Sequence, residues 1–365
     1  MTALVIFLVI LATLFLLFEI YSRNCLKNLE VAINFSAKAA TEGDRLFLTE
    51  ELSNKKWLPL PLLALRFKVG RELEFHDQAI PVLDYVARND LFYILMHQKV
   101  TRRIAFTCTR RGFYRLYDLE LNCWDILMHG RYRQKFEADT RITVYPKTLP
   151  KHEADELCTR IYGQIRTRYP IYTDPFSFRG IREYAYGDPM KNINFKASAK
   201  TAELMVNIRD FGSTRQVVLL LDMERHILRY NDALDERAIQ IVATLAEHLT
   251  SAGVPVSFIT NGMSILSGES ARIAEGKGSS QLHTILEVLA YIDINAKGIE
   301  PFAAVLHELA DLGDTEPEYW FISPYWHKSL EEGLLILRSI GARTVWAMPS
   351  PRYVDLHYSD MAVFI

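Results

Sequence analysis

The sequence predicts an α+β multidomain protein with an N-terminal transmembrane helix, a β-sandwich-like domain and a doubly wound α/β domain. Three observations carry that expectation. An almost unbroken apolar run fills residues 3–18, short β-compatible runs separated by turn residues fill 29–148, and strands alternate with helices from 204 onward. A chain of 365 residues, 49% of them hydrophobic, is long enough for two such cores and an anchor. The expected limits are 1–22 for the anchor, 23–150 for the β-rich domain, 151–203 for a junction and 204–365 for the α/β domain.

The anchor is read from "ALVIFLVILATLFLLF", in which only Thr13 is not apolar and no charge appears before Glu19. With Ile20 and Tyr21 the run approaches the ~20 helical residues that cross a bilayer core. A signal peptide would carry a basic start and a small-residue cleavage site, and neither is present. Arg23 and Lys27 follow the run, which predicts a single-pass cell-membrane protein with its body in the cytoplasm.

"LEVAINF", "RLFLTEEL", "LPLLALRFKV", "RRIAFTCT", "YRLYDLEL" and "RITVYP" read as short strands, several punctuated by turns such as "EGD" and "RRG". Runs of this kind suggest an antiparallel sandwich. "LFYILMHQ" fits a strand or a short helix, and "KTLPKHEADELCTRIYGQIR" reads as a helix starting near His152. "VVLLLD" at 217–222 is continuously apolar, as a strand covered on both faces should be. "ALDERAIQIVATLAEHLTSAG" is an amphipathic helix closed by Gly253, and "VPVSFIT" is a second buried strand followed directly by "NG". Helices "SSQLHTILEVLAYI", "PFAAVLHELADLG" and "SLEEGLLILRSIG" alternate with strands "EYWFIS", "RTVWAMP" and "MAVFI". That alternation predicts βαβ units and a mostly parallel sheet, whose ligands bind beyond the carboxyl ends of the strands.

Motifs with chemistry are scarce. A net charge of −2 gives no electrostatic reason to expect nucleic acid. Cys25, Cys108, Cys123 and Cys158 are widely spaced and read as reduced, buried thiols. "EGKGSS" lacks the spacing of a phosphate loop and reads as a flexible loop. "HELAD" at 307–311 carries Asp311 where a zinc helix needs its second His, so a solvated helix face is expected. "DINAKGIEP" puts Lys297 at a calcium-ligand position. No catalytic residue, metal or cofactor is expected.

The strand ending in Asp222 resembles the start of a von Willebrand factor type A domain. That fold's metal site needs Asp-x-Ser-x-Ser here, with Thr and Asp from later loops. This chain reads "DMERH", with Glu224 and His226 at the serine positions, then "KGIEP" and "PYW" without the further ligands. Asp222 is the only retained position, and it is expected to accept backbone N–H bonds or cap a helix rather than hold a cation.

"DPFSFRGIREYAYGDPMKNINFKASAKTAELMV" at 174–206 resembles the hallmark of the bacterial family catalogued as domain of unknown function 58, and "TRRGFYRLYDLEL" resembles its second signature. Phe195 and Lys200 stand where the family has Trp and Arg, and this chain shows one membrane span where members often have two. The resemblance implies an anchored protein with a type A-like domain and a MoxR-type AAA+ ATPase as partner. Within the hallmark, Arg179, Arg182, Glu183, Tyr184, Gly187, Asp188, Lys196 and Lys200 suit either a docking surface or a structured junction. Their mixed charges favour internal pairing, of Arg182 with Glu183 or Asp188, with Ile193 and Phe195 buried. The expected function is a non-enzymatic adaptor working with that ATPase in envelope assembly or remodelling. The rival is a membrane-bound enzyme using the basic 179–200 cluster on a phosphorylated substrate.

Overall fold

A computed structural model describes residues 2–76, 80–82, 85–124, 131–168, 178–184, 193–201, 203–209, 216–224, 231–296, 299–350 and 361–364. The chain divides into two compact units, Met1–Lys147 and Thr148–Ile365.

The first unit begins with α1 (Thr2–Asn24), which runs past the expected end of the anchor at 22. Eleven more residue stretches form β1 (Leu29–Phe35), β2 (Ala39–Thr41), β3 (Arg45–Asn54), β4 (Leu60–Gly70), β5 (Leu73–Phe75), β6 (Ile80–Val82), β7 (Tyr85–Ile94), β8 (Lys99–Cys108), β9 (Gly112–Arg115), β10 (Tyr117–Trp124) and β11 (Arg131–Lys135), and β12 (Arg141–Tyr145) completes the unit. "LFYILMHQ", open on sequence, continues β7 as far as Ile94. Two antiparallel sheets, β1-β3-β8-β5 and β11-β10-β4-β7-β6, share one apolar core, and a small sheet β2-β12-β9 sits beside them. Alternation decides the faces: Leu48 and Leu52 of β3, Phe106 of β8, and Leu63, Leu65 and Phe67 of β4 all enter that core. Gly43 turns "EGD" with φ +97°, a left-handed conformation that favours glycine, and the Asp44 carboxylate accepts the Thr41 N–H at 2.8 Å.

The end of α1 is built into this sandwich. Tyr21 is 5% exposed, and its hydroxyl lies within donor reach of the carbonyls of Pro59 (3.3 Å) and Trp124 (3.2 Å). Among the described residues, no helix is long and apolar enough to cross a membrane. The side chains of residues 1–5, 14, 17 and 22 lie outside that described set, whereas the backbone of α1 is helical throughout Thr2–Asn24.

The second unit contains α2 (Lys151–Arg168), β13 (Phe178–Glu183), α3 (Phe195–Thr201), β14 (Met205–Arg209), β15 (Val217–Leu221), α4 (Asp232–Ser251), β16 (Val256–Thr260) and β17 (Ala271–Gly276). It continues with α5 (Gly278–Tyr291), α6 (Phe302–Leu312), β18 (Glu318–Ile322), α7 (Lys328–Ser339), β19 (Arg343–Ser350) and β20 (Met361–Phe364). The main sheet has the order β17-β16-β15-β18-β19-β20. All its pairs are parallel except the antiparallel edge pair β16–β17.

Every residue of β15 is buried, as the apolar run "VVLLL" requires. Val217, Leu219 and Leu221 pack with α4 and α5, while Val218 and Leu220 pack with α6 and α7. That two-sided cover makes the sheet doubly wound. Leu157, Cys158 and Ile161 of α2 join the first of these cores, so this helix of the expected junction is part of the α/β unit. Asn231 starts α4 by accepting the Ala233 N–H at 3.0 Å, and Gly253 with φ +74° ends it.

Two expectations need correction. Phe195, expected to be buried, is 75% exposed at the start of α3, because "FKASAK" continues as helix instead of entering the strand. "EGKGSS", expected as a flexible loop, is structured: Glu275 and Gly276 close β17, and Gly278 opens α5.

Candidate functional site

Asp222 follows β15 directly, at the carboxyl edge of the parallel strands where loops converge. It is 1% exposed. Its Oδ1 accepts the Glu224 backbone N–H at 2.8 Å and the Asn261 Nδ2–H at 3.2 Å. Its Oδ2 lies 2.9 Å from Ser323 Oγ. Each partner arrives from a neighbouring strand: Asn261 follows β16 and Ser323 follows β18.

Asn261 is tied in turn, donating also to the Glu300 carbonyl at 3.0 Å and accepting the Met223 N–H at 2.8 Å. Glu224 Oε2 accepts the N–H of Phe302, the first residue of α6, at 3.2 Å. A carboxylate at that helix start is favoured by the unpaired N–H groups and the dipole. The expected structural role of Asp222 is therefore seen in part: it accepts a backbone N–H, but the helix start is held by Glu224.

Ser323 Oγ has a single proton and also lies 2.6 Å from the Tyr325 carbonyl, which can only accept. If that proton goes to Tyr325, the 2.9 Å contact is a hydrogen bond only when Asp222 Oδ2 carries a proton of its own. Burial pushes the Asp222 carboxyl up to about 7, outweighing the hydrogen bonds from Glu224, Ser323 and Asn261 that pull it down. Desolvation thus leaves the carboxyl neutral below pH 7.

This arrangement does not fit Mg²⁺. A hard cation needs several ionised or neutral oxygens converging on one point. Here both Asp222 oxygens are already occupied, and one Glu224 oxygen is committed to α6. Among the described residues, no group of three or more His, Cys, Asp or Glu could hold a metal. His226 lies outside the described residues. His307 and Asp311 of "HELAD" are both exposed on α6.

The hallmark residues gather around a two-stranded sheet. Arg179 and Arg182 lie in β13, where Arg182 pairs in register with Val206 and Glu183 with Met205 of β14. The Arg179 and Arg182 side chains, Gly187 and Asp188 are outside the described residues, and the expected pairing of Arg182 falls there too. Glu183 is exposed and Tyr184 half-buried, its N–H donating to the Leu204 carbonyl at 2.8 Å. Ile193 is buried as expected and bridges to Val206. Asn194 starts α3 by accepting the Ala197 N–H at 3.0 Å, and Ser198 Oγ accepts the Met205 N–H at 2.8 Å. Lys196 and Lys200 lie four residues apart on α3, both exposed. Glu183 in β13 and Lys196 and Lys200 in α3 are thereby placed on elements that flank β14, with Tyr184 one residue beyond β13.

Sequence reading missed Asn261 as a functional position, because "NG" was legible only as a turn. The structure uses its amide to join three chain segments. It also missed a polar layer inside the first unit, where alternation points Glu50 of β3 and Arg88 and Asp90 of β7 inward. Arg88 Nε and Nη2 donate to Asp90 at 3.1 and 3.0 Å, and Arg102 of β8 donates to Asp90 at 3.2 Å. Glu50 is fully buried, and desolvation, with Asp90 beside it, pushes its carboxyl up to about 8.

No protein-family model matches this chain, and neither does any curated protein. Solved structures similar to part of it include a type I cohesin in a dockerin complex from Clostridium thermocellum, at 10% identity and TM-score 0.22, over 32% of this chain and 99% of that one. A non-cellulosomal cohesin from Archaeoglobus fulgidus matches at 12% identity and TM-score 0.22, over 35% and 96%. A CARDB domain from Pyrococcus furiosus matches at 8% identity and TM-score 0.21, over 32% and 90%. Similarity of this size carries no argument about what the chain does.

Proposed function

We propose that this protein is a membrane-anchored, non-enzymatic adaptor of the domain of unknown function 58 family, with a type A-like α/β domain that engages a MoxR-type AAA+ ATPase. The observation that carries the anchor is the surface of α1. Ile6, Phe7, Leu8, Val9, Ile10, Leu11, Phe15, Leu16 and Ile20 are each 47–69% exposed. Burying what they leave in water is worth on the order of 10 kcal/mol, at about 1.5–3 kcal/mol for each fully buried large side chain. The helix rises about 34 Å at 1.5 Å per residue. Its one polar side chain in the apolar run, Thr13, satisfies itself by donating to the carbonyls of Val9 or Ile10 at 2.8 Å, as a bilayer interior requires.

Support for an adaptor comes from the strand-end cluster. Asp222 bonds to Asn261, to Ser323 and to the Glu224 backbone N–H, which fits a structural support for a binding surface better than a site awaiting substrate. The ATPase partner rests on the hallmark at 174–206. Arg23 and Lys27 favour a cytoplasmic body, where such an ATPase would be met. Alkaline carbonate extraction of membranes and protease treatment of spheroplasts test the anchor and its orientation. The protein should stay in the pellet and resist protease. Release by carbonate would overturn the anchor, and digestion from outside would overturn the orientation.

A further inference from the structure

We propose that the end of the first unit from which α1 emerges binds the headgroup of an anionic phospholipid, with the phosphate in a cationic cavity and Trp57 beside it in the headgroup layer. This site depends on α1 being the anchor proposed above. A cavity of about 690 Å³ opens just past the helix, and its lining includes Arg23, Lys27, Asn28, Tyr132, Arg133 and Gln134. The first three and the last three are far apart in sequence, and the fold brings them together. Tyr132 and Arg133 of β11 pair in register with Cys123 and Asn122 of β10. The Tyr21 hydroxyl of α1 lies 3.2 Å from the carbonyl of Trp124, the last residue of β10. That contact sets β10, and β11 with it, beside the last turns of the helix.

Charge decides what the cavity takes. The Lys27 ammonium is exposed and has no carboxylate partner among the described residues. Lys56 Nζ donates to the backbone carbonyls of Cys25 and, at 2.6 Å, Lys27, which fixes a second ammonium beside the cavity. Arg133 and Lys135 stand 3.6 and 4.0 Å from the same carboxylate, Glu120, so two cations share one anion. Arg23 is matched by Glu19 at 2.7 Å. A surplus of positive charge remains, carried by Lys27, Lys56 and the Arg133–Lys135 pair. A phosphate diester brings one negative charge, and its oxygens accept from guanidinium, ammonium and amide donors of the kind that Arg133, Lys27, Asn28 and Gln134 carry.

Position decides where that phosphate comes from. Ile20 is the last exposed large apolar side chain of α1, and Arg23 follows it by about 4.5 Å of helix at 1.5 Å per residue. The polar layer of a bilayer is about 5–8 Å deep on each side of its hydrocarbon core. An anchor whose apolar surface ends at Ile20 therefore holds the cavity mouth at headgroup depth. The adjoining loop is built for the same layer. Its Lys55 N–H donates to the Asn28 carbonyl at 3.2 Å, which ties the loop to the cavity rim. Trp57 is 78% exposed, with only an edge-on contact to His97 at 4.9 Å between ring centres. Leu95 and Met96 are exposed in the next turn, which the Asn54 amide joins to this loop through the carbonyls of Leu58 and Leu95, both at 2.9 Å. An indole with an apolar body and one N–H suits the membrane–water interface. Arg23, Lys27 and Arg133 are all exposed, so a free phosphate would stay hydrated there and bind weakly. A tethered headgroup layer offers the same phosphate at high effective concentration.

The test uses the full-length protein in detergent, equilibrated with mixed micelles holding equal phosphatidylglycerol and phosphatidylcholine, and counts retained lipid by native mass spectrometry. Phosphatidylglycerol should be retained severalfold over phosphatidylcholine. Lys27→Gln and Arg133→Gln, both at exposed positions and checked for wild-type circular dichroism, should each lower that preference by up to about fivefold, the weight of one interfacial cation. Lys328→Gln, on α7, should leave it unchanged. In proteoliposomes, lipid brominated near the headgroup should quench the wild type more than Trp57→Phe, and equal quenching would overturn the interfacial placement of Trp57. Equal retention of the two lipids by the wild type overturns the proposal. So does a preference that Arg133→Gln leaves untouched, because the charges that follow α1 in sequence would then act alone. Calorimetric binding of inorganic phosphate without any lipid preference would make the cavity a site for a free anion and overturn it too. Carbonate extraction separates these results from the anchor. Protein that stays in the pellet yet shows no lipid preference overturns the headgroup site alone, and protein released with its preference intact overturns the anchor alone.

Discussion

Replacing Asp222 by Asn tests the protonation argument at the strand-end site. The native carboxyl holds its proton up to about pH 7, whereas the ordinary value is 3.8. The unfolded chain therefore releases that proton first. Stability is fully present below about pH 4, falls as pH rises toward 7, and levels off beyond. A shift of that size is worth about 4 kcal/mol at about 1.4 kcal/mol per unit. Asparagine keeps the geometry: its Oδ1 can accept from Glu224 N–H and Asn261, and its Nδ2–H can donate to Ser323 Oγ. It has no proton to lose. The variant should match the wild type within about 1 kcal/mol near pH 4 and exceed it by up to about 4 kcal/mol near pH 8. Urea unfolding in detergent, followed by tryptophan fluorescence, reads this through buried Trp320 and Trp346 of the second unit. An Asn variant less stable than wild type near pH 8 would refute the reasoning. So would a stoichiometric heat of Mg²⁺ binding that the substitution abolishes, because an ionised, liganding Asp222 would then be the native state.

The sandwich should respond to pH in the same sense. Glu50, raised from 4.5 to about 8, loses up to about 5 kcal/mol of stability across that window. Glu50→Gln should remove this loss and melt higher than wild type near pH 9, where thermal denaturation by circular dichroism can compare them. The two phenylalanines that the sequence treats alike should separate: Phe258→Ala, fully buried in β16, should cost about 3–5 kcal/mol, and Phe195→Ala, 75% exposed, less than about 0.5. Chemical denaturation measures both, and equal losses would restore the buried reading of Phe195.

Much of the α/β unit was legible because its strands are covered on both faces. "VVLLLD" and "VPVSFIT" have to be buried wherever they go, and the helices between them carry one apolar stripe and clear end signals. β17 was missed for the converse reason. It is an edge strand with no fully buried residue, so "ARIAEG" shows only the short alternation of Ala271 and Ile273 around Arg272. Phe195 was misplaced because residue type was allowed to decide burial, whereas the helix started by Asn194 turns that side chain outward. Asp222 was found by its position after a buried strand. Asn261 and Ser323 were harder to single out, since a polar residue after a strand is ordinary until the parallel register brings three strand ends together. Glu50 left a usable trace: in "RLFLTEEL" the period of two that buries Leu48 and Leu52 also buries the acid between them.

The proposed adaptor role requires a partner contact that does not depend on a cation held at Asp222. The most direct measurement is capture of a purified MoxR-type AAA+ ATPase by the full-length protein in detergent, compared with its Asp222→Asn variant. The account predicts that both retain the ATPase, with affinities equal within a factor of about two, a difference of only about 0.4 kcal/mol. No retention by the wild type, or retention lost in a folded Asp222→Asn variant, would contradict it.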